Sequence, residues 1–366
     1  MSDERHDSPA VPPPPRMKGG DLPDVADDPP FESWKEVTED SDRQAEDPPD
    51  YTIMGDNGEL SQLAPAALFE LNQAALDDSV PNRPLVAPLV PMAALREEYE
   101  NGNEIFVKQI DWLVEQGYIG IRRTRGDGDC FYRSLAYAYV ERILNSTDQG
   151  LDAVQAVSML ESTQSMLETV GFQPLVFEDF LETFTTLIKR VTDPEPGATL
   201  LTHHGLLEAF NNPEISNSIV VYLRLLTSAQ IRLDPDAYAP FLFHPELGEP
   251  MDTRDFCENF VEAVGKEADH VQMTALTRAL RINILVAYLD GRVHSRESSA
   301  ASSGKGKGRA TDTVEVEFVP FENGEEGLEP IRLLYRPGHY DILEQRSEDP
   351  DVEFDAGIEL ALRTLP

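Results

Sequence analysis

The chain of 366 residues carries 67 acidic against 30 basic side chains, a formal net charge of -37. Such an anion repels phosphate backbones and anionic membrane surfaces, which argues against nucleic acid and membranes as partners. A hydrophobic content of 40% can fill a core, two cysteines make no disulfide framework, and no run approaches the roughly 20 apolar residues of a membrane span.

Residues 1–50 combine PPPP at Pro12 to Pro15 with acidic pieces such as DVADDPP, the composition of a disordered tail. MSDERHDSPA lacks the charged-then-apolar order of a secretory signal. The expectation is a soluble protein of a reducing compartment, cytoplasmic and also nuclear. Residues 51–84 read as a linker with some helix. Phe106, Ile110 and Leu113 recur at i, i+4 and i+7 and predict an amphipathic helix, and similar periodicity predicts helices over 151–170, 177–191, 215–233 and 271–280. Strands are expected over 282–288, 314–319, 331–335 and 340–343. Between the first two of these strands, SRESSAASSGKGKGRATD at 295–312 reads as a flexible hairpin insertion. Its GKGKG lacks the GxxxxGK[ST] spacing of a phosphate loop. Residues 346–366 are a C-terminal tail. No repeat of fixed period occurs. The order, helices first and a small sheet after, predicts an α+β domain over 85–345 with the helical region packed on a small mixed β-sheet.

Within that domain, GDGD precedes Cys130 and FYRSLAYAYVERIL follows it, with Leu135, Tyr139 and Ile143 on one helical face. The thiol therefore starts a helix after a glycine turn. A helix N-terminus favours a thiolate, and its free N–H groups can hold an oxyanion. The bland reading is a packed core cysteine, which fits Cys257 inside the amphipathic stretch TRDFCENFVEAV.

A thiolate nucleophile works with a histidine. Of the seven, His6 lies in the tail and His294 borders the insertion, while His203, His204 and His244 sit near helix-loop boundaries. His270 reads, with Asp269, as a helix-start pair. His339 stands apart in LLYRPGHYDIL, where strand alternation puts His339 and Asp341 on one face and Tyr340 and Ile342 on the other. The expected geometry has Asp341 accept a hydrogen bond from Nδ1 of His339 and leaves Nε2 facing the thiol. Two distant cysteines and no HxxxH pair give no reason to expect a metal or other cofactor.

GDGDCFYRSLAYAYVERIL resembles the DGNCFYRA signature of OTU-type cysteine proteases, and LLYRPGHYDIL is similar to their C-terminal histidine motif in its otubain form. IDWLVEQGYIGIRRT, taken as a helix, LRLLTSAQIRL and DFCENFVEAVGKEADHVQMTALTRALRINILVAYLDG follow the family's order, so the resemblance spans about 95–343. It implies an OTU-like cysteine protease fold and a deubiquitinase, a ubiquitin thioesterase that cuts the isopeptide bond between ubiquitin's C-terminal glycine and a lysine. It suggests chains joined through lysine 48. Ubiquitin, polyubiquitin and ubiquitin-conjugating enzymes are the implied partners, and a non-catalytic role binding them stays open. Carried over by position, Cys130 is the nucleophile, His339 the base and acid, Asp341 the residue orienting it, and Asp127 the turn residue whose backbone helps form the oxyanion site. Asp129 stands where the family usually has asparagine. An exposed, solvated carboxylate is expected there, with a modest upward pull on the thiol pKa.

Overall fold

The computed structural model describes residues 83–346 apart from 101, 195, 246, 293–313 and 325–327. The expected acidic tail, the linker up to 82, the insertion at 295–312 and the C-terminal tail after 346 lie outside the described residues, as do His6 and His294.

A six-stranded mixed sheet organises the domain in the order β1-β2-β6-β5-β3-β4. The strands are β1 (Val86–Pro91), β2 (Tyr118–Thr124), β3 (Asn283–Tyr288), β4 (Glu317–Glu322), β5 (Ile331–Arg336) and β6 (His339–Gln345). Only β3 and β5 pair in parallel. β1 precedes every described helix and β2 precedes the seven helices of the main core, so the arrangement is not helices first and sheet after. β1 hides in VAPLVP because its prolines discourage a strand reading, yet an edge strand accommodates them. β2 is a correction to the reading of IDWLVEQGYIGIRRT as one helix. The helix α2 (Glu104–Glu115) stops, Gly117 adopts φ 88°, and the chain turns into a strand that pairs with β6.

One face of the sheet is covered by α1 (Met92–Tyr99) and α2. Their Leu95, Ile110 and Leu113 pack with Ile121, Leu334 and Leu343 in a small core. The other face carries the main core, built on α3 (Cys130–Leu144), α4 (Gln149–Ser162), α5 (Gln164–Thr169), α6 (Pro174–Lys189), α7 (His203–Asn211), α8 (Pro213–Leu233) and α9 (His270–Leu280). The helix expected over 151–170 breaks at Thr163. Its hydroxyl donates to the Leu160 carbonyl and bonds the Tyr222 hydroxyl of α8, which favours a separate start for α5. Asp269 and Gln272 form a capping box at the head of α9.

Helix α3 is the axis of the main core. All its residues but Arg142 are buried, so the helix is enclosed on every side, with Arg133, Ser134 and Glu141 its buried polar groups. Burying side chains such as Phe131, Leu135 and Val140 contributes about 1.5–3 kcal/mol each. The helix is thus a rigid mount for the thiol at its first residue.

Candidate functional site

Cys130 begins α3, and its side chain is 3% exposed. Asp129 precedes the helix without capping it through its side chain, and the first intrahelical bond runs from Arg133 N–H to the Asp129 carbonyl at 3.0 Å. The N–H groups ahead of Arg133 are left over from the helical ladder. Of the two turn glycines, Gly128 takes φ 79°, whereas Gly126 has no positive φ. A Cβ on Gly128 would lie 2.1 Å from the Gly265 carbonyl oxygen, so only glycine allows this close crossing.

His339 opens β6, opposite Arg336 of β5 across the Pro337-Gly338 turn. Proline at the second turn position and a glycine at φ 72° at the third fit a type II turn. Strand alternation holds as expected. Tyr340 and Ile342 enter the main core, and Phe131 of α3 meets the Tyr340 ring edge-on at 5.5 Å. Asp341, fully buried, faces His339.

The ring nitrogens are the reverse of the expected arrangement. Nε2 of His339 lies 2.8 Å from Asp341 Oδ1. Nδ1 is turned toward Gly126, where a Cβ would stand 3.6 Å from it. Two residues along a strand span about 6.6 Å, so the Asp341 carboxylate meets the nitrogen farther from the main chain, and the nearer one remains for the thiol. Burial pulls the His339 pKa down, but the bond to Asp341 and the interaction with Cys130 outweigh it and raise it to about 9. Burial likewise pushes Asp341 up, and the hydrogen bond from His339 and the charge of Arg336 bring it below the ordinary carboxylate value. Asp341 Oδ1 also accepts from the Thr124 N–H at 3.0 Å.

Three strands of chain are tied together at this point. Ser134, one turn below Cys130, donates to the Tyr340 carbonyl at 3.2 Å, and the Thr124 hydroxyl donates to the same oxygen at 2.6 Å. Because i and i+4 share a helical face, the bond from Ser134 sets the height of Cys130 against His339.

Asp127 lies on the same turn, and its Oδ1 accepts from the Asp129 N–H at 3.0 Å and from Arg133 Nη1 at 2.8 Å. Arg133 is fully buried and also donates to Ser216 and Asn217 of α8. Asp129 departs from expectation. It is 2% exposed and not solvated. Its Oδ1 accepts from Arg224 Nε at 2.8 Å and from the Gly265 N–H at 3.1 Å, and Arg224 Nη2 completes the ion pair. Arg224 in turn donates to the carbonyls of Val261, Gly128 and Lys266, and stacks over Tyr132 at 4.4 Å. The negative charge beside the thiol is therefore matched by a buried cation.

Cys130, His339 and Asp341 come together from α3 and β6, with Asp127 at the turn ahead of the thiol. Residues missed from sequence are Thr124, Arg133, Ser134, Arg224 and Arg336. Arg133, Ser134 and Arg336 stand inside the two recognised motifs with nothing local to mark their partners, and Thr124 and Arg224 lie outside them. Cys257 is fully buried where a single turn passes into a π-helical segment, and burial raises its thiol to about 11. Among the described residues no group of three His, Cys, Asp or Glu side chains could hold a metal ion.

Residues 78–345 match the model of the peptidase C65 otubain family. The chain is similar to the OVARIAN TUMOR DOMAIN-containing deubiquitinating enzyme 1 of Arabidopsis thaliana, 37% identical over 268 residues that cover 71% of this chain and 80% of that protein. It is 34% identical to ubiquitin thioesterase OTUB1 of Homo sapiens over 261 residues, 71% of this chain and 83% of the relative. Among solved structures, the complex of h/ceOTUB1 with ubiquitin aldehyde and UBCH5B~Ub superposes with a TM-score of 0.60 at 25% identity, covering 77% of this chain and all of that one.

Proposed function

This chain belongs to the peptidase C65 otubain family and is a cysteine-type deubiquitinase, and on that premise we propose that Cys130 attacks the isopeptide bonds of lysine-48-linked polyubiquitin. The observation that carries the reading is the meeting of Cys130, on the rigid head of α3, with a histidine held by a buried carboxylate on β6.

In this mechanism the Cys130 thiol gives its proton to Nδ1 of His339, and Asp341 stabilises the imidazolium through Nε2–H. The thiolate adds to the carbonyl carbon that ends ubiquitin. The oxyanion so formed is met by backbone N–H groups of the turn and helix start around Cys130 other than that of Asp129, which Asp127 Oδ1 holds. As the tetrahedral adduct collapses, His339 passes its proton to the departing lysine amine and a thioester remains on Cys130. A water molecule, losing a proton to His339, then adds to the thioester. Collapse releases the ubiquitin carboxylate and returns the thiol. The nucleophile, base and orienting carboxylate are Cys130, His339 and Asp341, and Asp127 shapes the turn.

Incubation with a panel of di-ubiquitins of defined linkage tests the reading. Cleavage of the lysine-48 dimer ahead of the others, lost in Cys130→Ala, is the expected result. Equal cleavage of all linkages would remove the linkage assignment, and cleavage that survives Cys130→Ala would remove the nucleophile.

A second reading rests on the solved complexes of relatives with UBCH5B~Ub and UBC13~Ub. In it the domain also grips a charged ubiquitin-conjugating enzyme and restrains chain synthesis without cutting. Restraint retained by Cys130→Ala supports this role, and its loss excludes it.

A further inference from the structure

Asp341 is held on both oxygens. Oδ1 takes His339 Nε2 and the Thr124 N–H, while Oδ2 takes Nη2 of Arg336 at 2.5 Å. Arg336 lies directly across the β5–β6 pair from His339 and is 17% exposed. Its other arm, Nη1, donates to Oε2 of Glu98 at 3.2 Å, and Glu98 is also paired with Arg123 of β2. Glu98 belongs to α1, and its side chain is 38% exposed. A line of polar contacts therefore leads from a surface carboxylate through Arg336 and Asp341 to His339.

We propose that Arg336 is a positioning residue of the site. It fixes the Asp341 carboxylate against His339 and shares its negative charge, so that Glu98, at the outer end of the line, tunes how firmly His339 holds its proton. This rests on the reading of His339 as general base and acid. The charge of Asp341 is divided between two cations. A carboxylate paired only with an imidazolium holds that cation tightly, making it a poor donor to a leaving amine. A guanidinium on the second oxygen neutralises part of the charge without supplying a transferable proton, since arginine stays protonated. Glu98 draws on the same guanidinium and offsets part of its effect.

The other titratable or charged groups around His339 are Cys130 from α3 and Glu267, whose Oε1 would lie 3.4 Å from a Cβ on Gly338. Tyr99 of α1 adds a hydrogen bond to Arg336. None of these three stands between Glu98 and Asp341 in the line of bonds, so substitutions at its two ends move His339 in opposite directions.

The test uses the full chain, with the His339 ring titration followed by NMR, its resonance assigned by loss in His339→Gln, alongside kcat and KM for a ubiquitin C-terminal substrate. Arg336→Gln is expected to raise the His339 midpoint by about half a pH unit and to lower kcat roughly tenfold with little change in KM. Glu98→Gln is expected to lower the midpoint, and Arg336→Lys to restore most of the wild-type value. Midpoints that stay fixed, or move the same way in Arg336→Gln and Glu98→Gln, overturn the proposal. Should Arg336→Gln lose its thermal transition, the exposed Glu98→Gln decides alone by the direction of its midpoint. A wild-type protein that cleaves no ubiquitin substrate would instead refute the functional reading, and the titrations would still decide the charge-sharing.

Discussion

Arg224 and Asp129 form an ion pair beneath the turn that carries Cys130, with side-chain exposures of 0% and 3%. Removing one partner of a buried pair costs more than the pair itself contributes, because the remaining charge has no solvent. Arg224→Met is expected to destabilise the protein by about 3–5 kcal/mol in urea unfolding. Asp129→Asn keeps an oxygen acceptor and leaves Arg224 its three carbonyls, so its cost should be under about 2 kcal/mol, with cleavage retained. An Asp129→Asn protein as unstable as Arg224→Met would refute this ordering.

The two glycines of the turn separate conformation from space. Gly128→Ala combines a left-handed φ with a Cβ 2.1 Å from the Gly265 oxygen, and should shift the turn and abolish cleavage. Gly126→Ala meets only the edge of His339 at 3.6 Å, ordinary van der Waals contact, and should fold as the wild type does. Thermal melts and single-turnover cleavage of both variants check the contrast.

Alkylation should distinguish the thiols. With its thiol raised to about 11 by burial, Cys257 presents little thiolate at pH 8. Iodoacetamide under native conditions is expected to label Cys130 and leave Cys257 unmodified, as read by peptide mass spectrometry. Labelling of Cys257 in the folded protein would contradict its packed environment.

His339 also links stability to pH. Its folded value of about 9 lies above the unfolded 6.5, so the folded state binds the proton more tightly. The stabilisation is fully present below about pH 6.5 and disappears as pH rises through about 9. The difference in Tm between wild type and His339→Gln should therefore shrink between pH 7 and pH 10. A difference that grew over that interval would mean that the imidazolium is not favoured by folding.

The groups of the candidate site were legible because each is announced locally, the thiol by a glycine turn before an apolar helix and the histidine by a strand alternation with Asp341. What lay beyond reach was set by distance along the chain. Asp129 reads as an exposed, solvated carboxylate until Arg224, 95 residues later, is seen to close over it. Strand spacing fixed which face His339 and Asp341 share, but not which ring nitrogen each partner takes. β2 was absorbed into α2 because a single glycine with positive φ separates them and its two arginines obscure the strand. Those arginines have their own partners, Glu141 and Glu98.

The place of β6 between β2 and β5 has a consequence for the protein's synthesis. The strand bearing His339 is the last of the six, and the bond from Thr124 to Asp341 spans 217 positions of sequence. A chain emerging from the ribosome displays Cys130 and most of the helices while the slot in the sheet stands vacant, and such non-local pairing forms slowly. The nascent chain therefore carries its thiol before its imidazole. The proposed site is completed by the arrival of one strand, and the nascent thiol has no imidazole beside it before translation has passed residue 341.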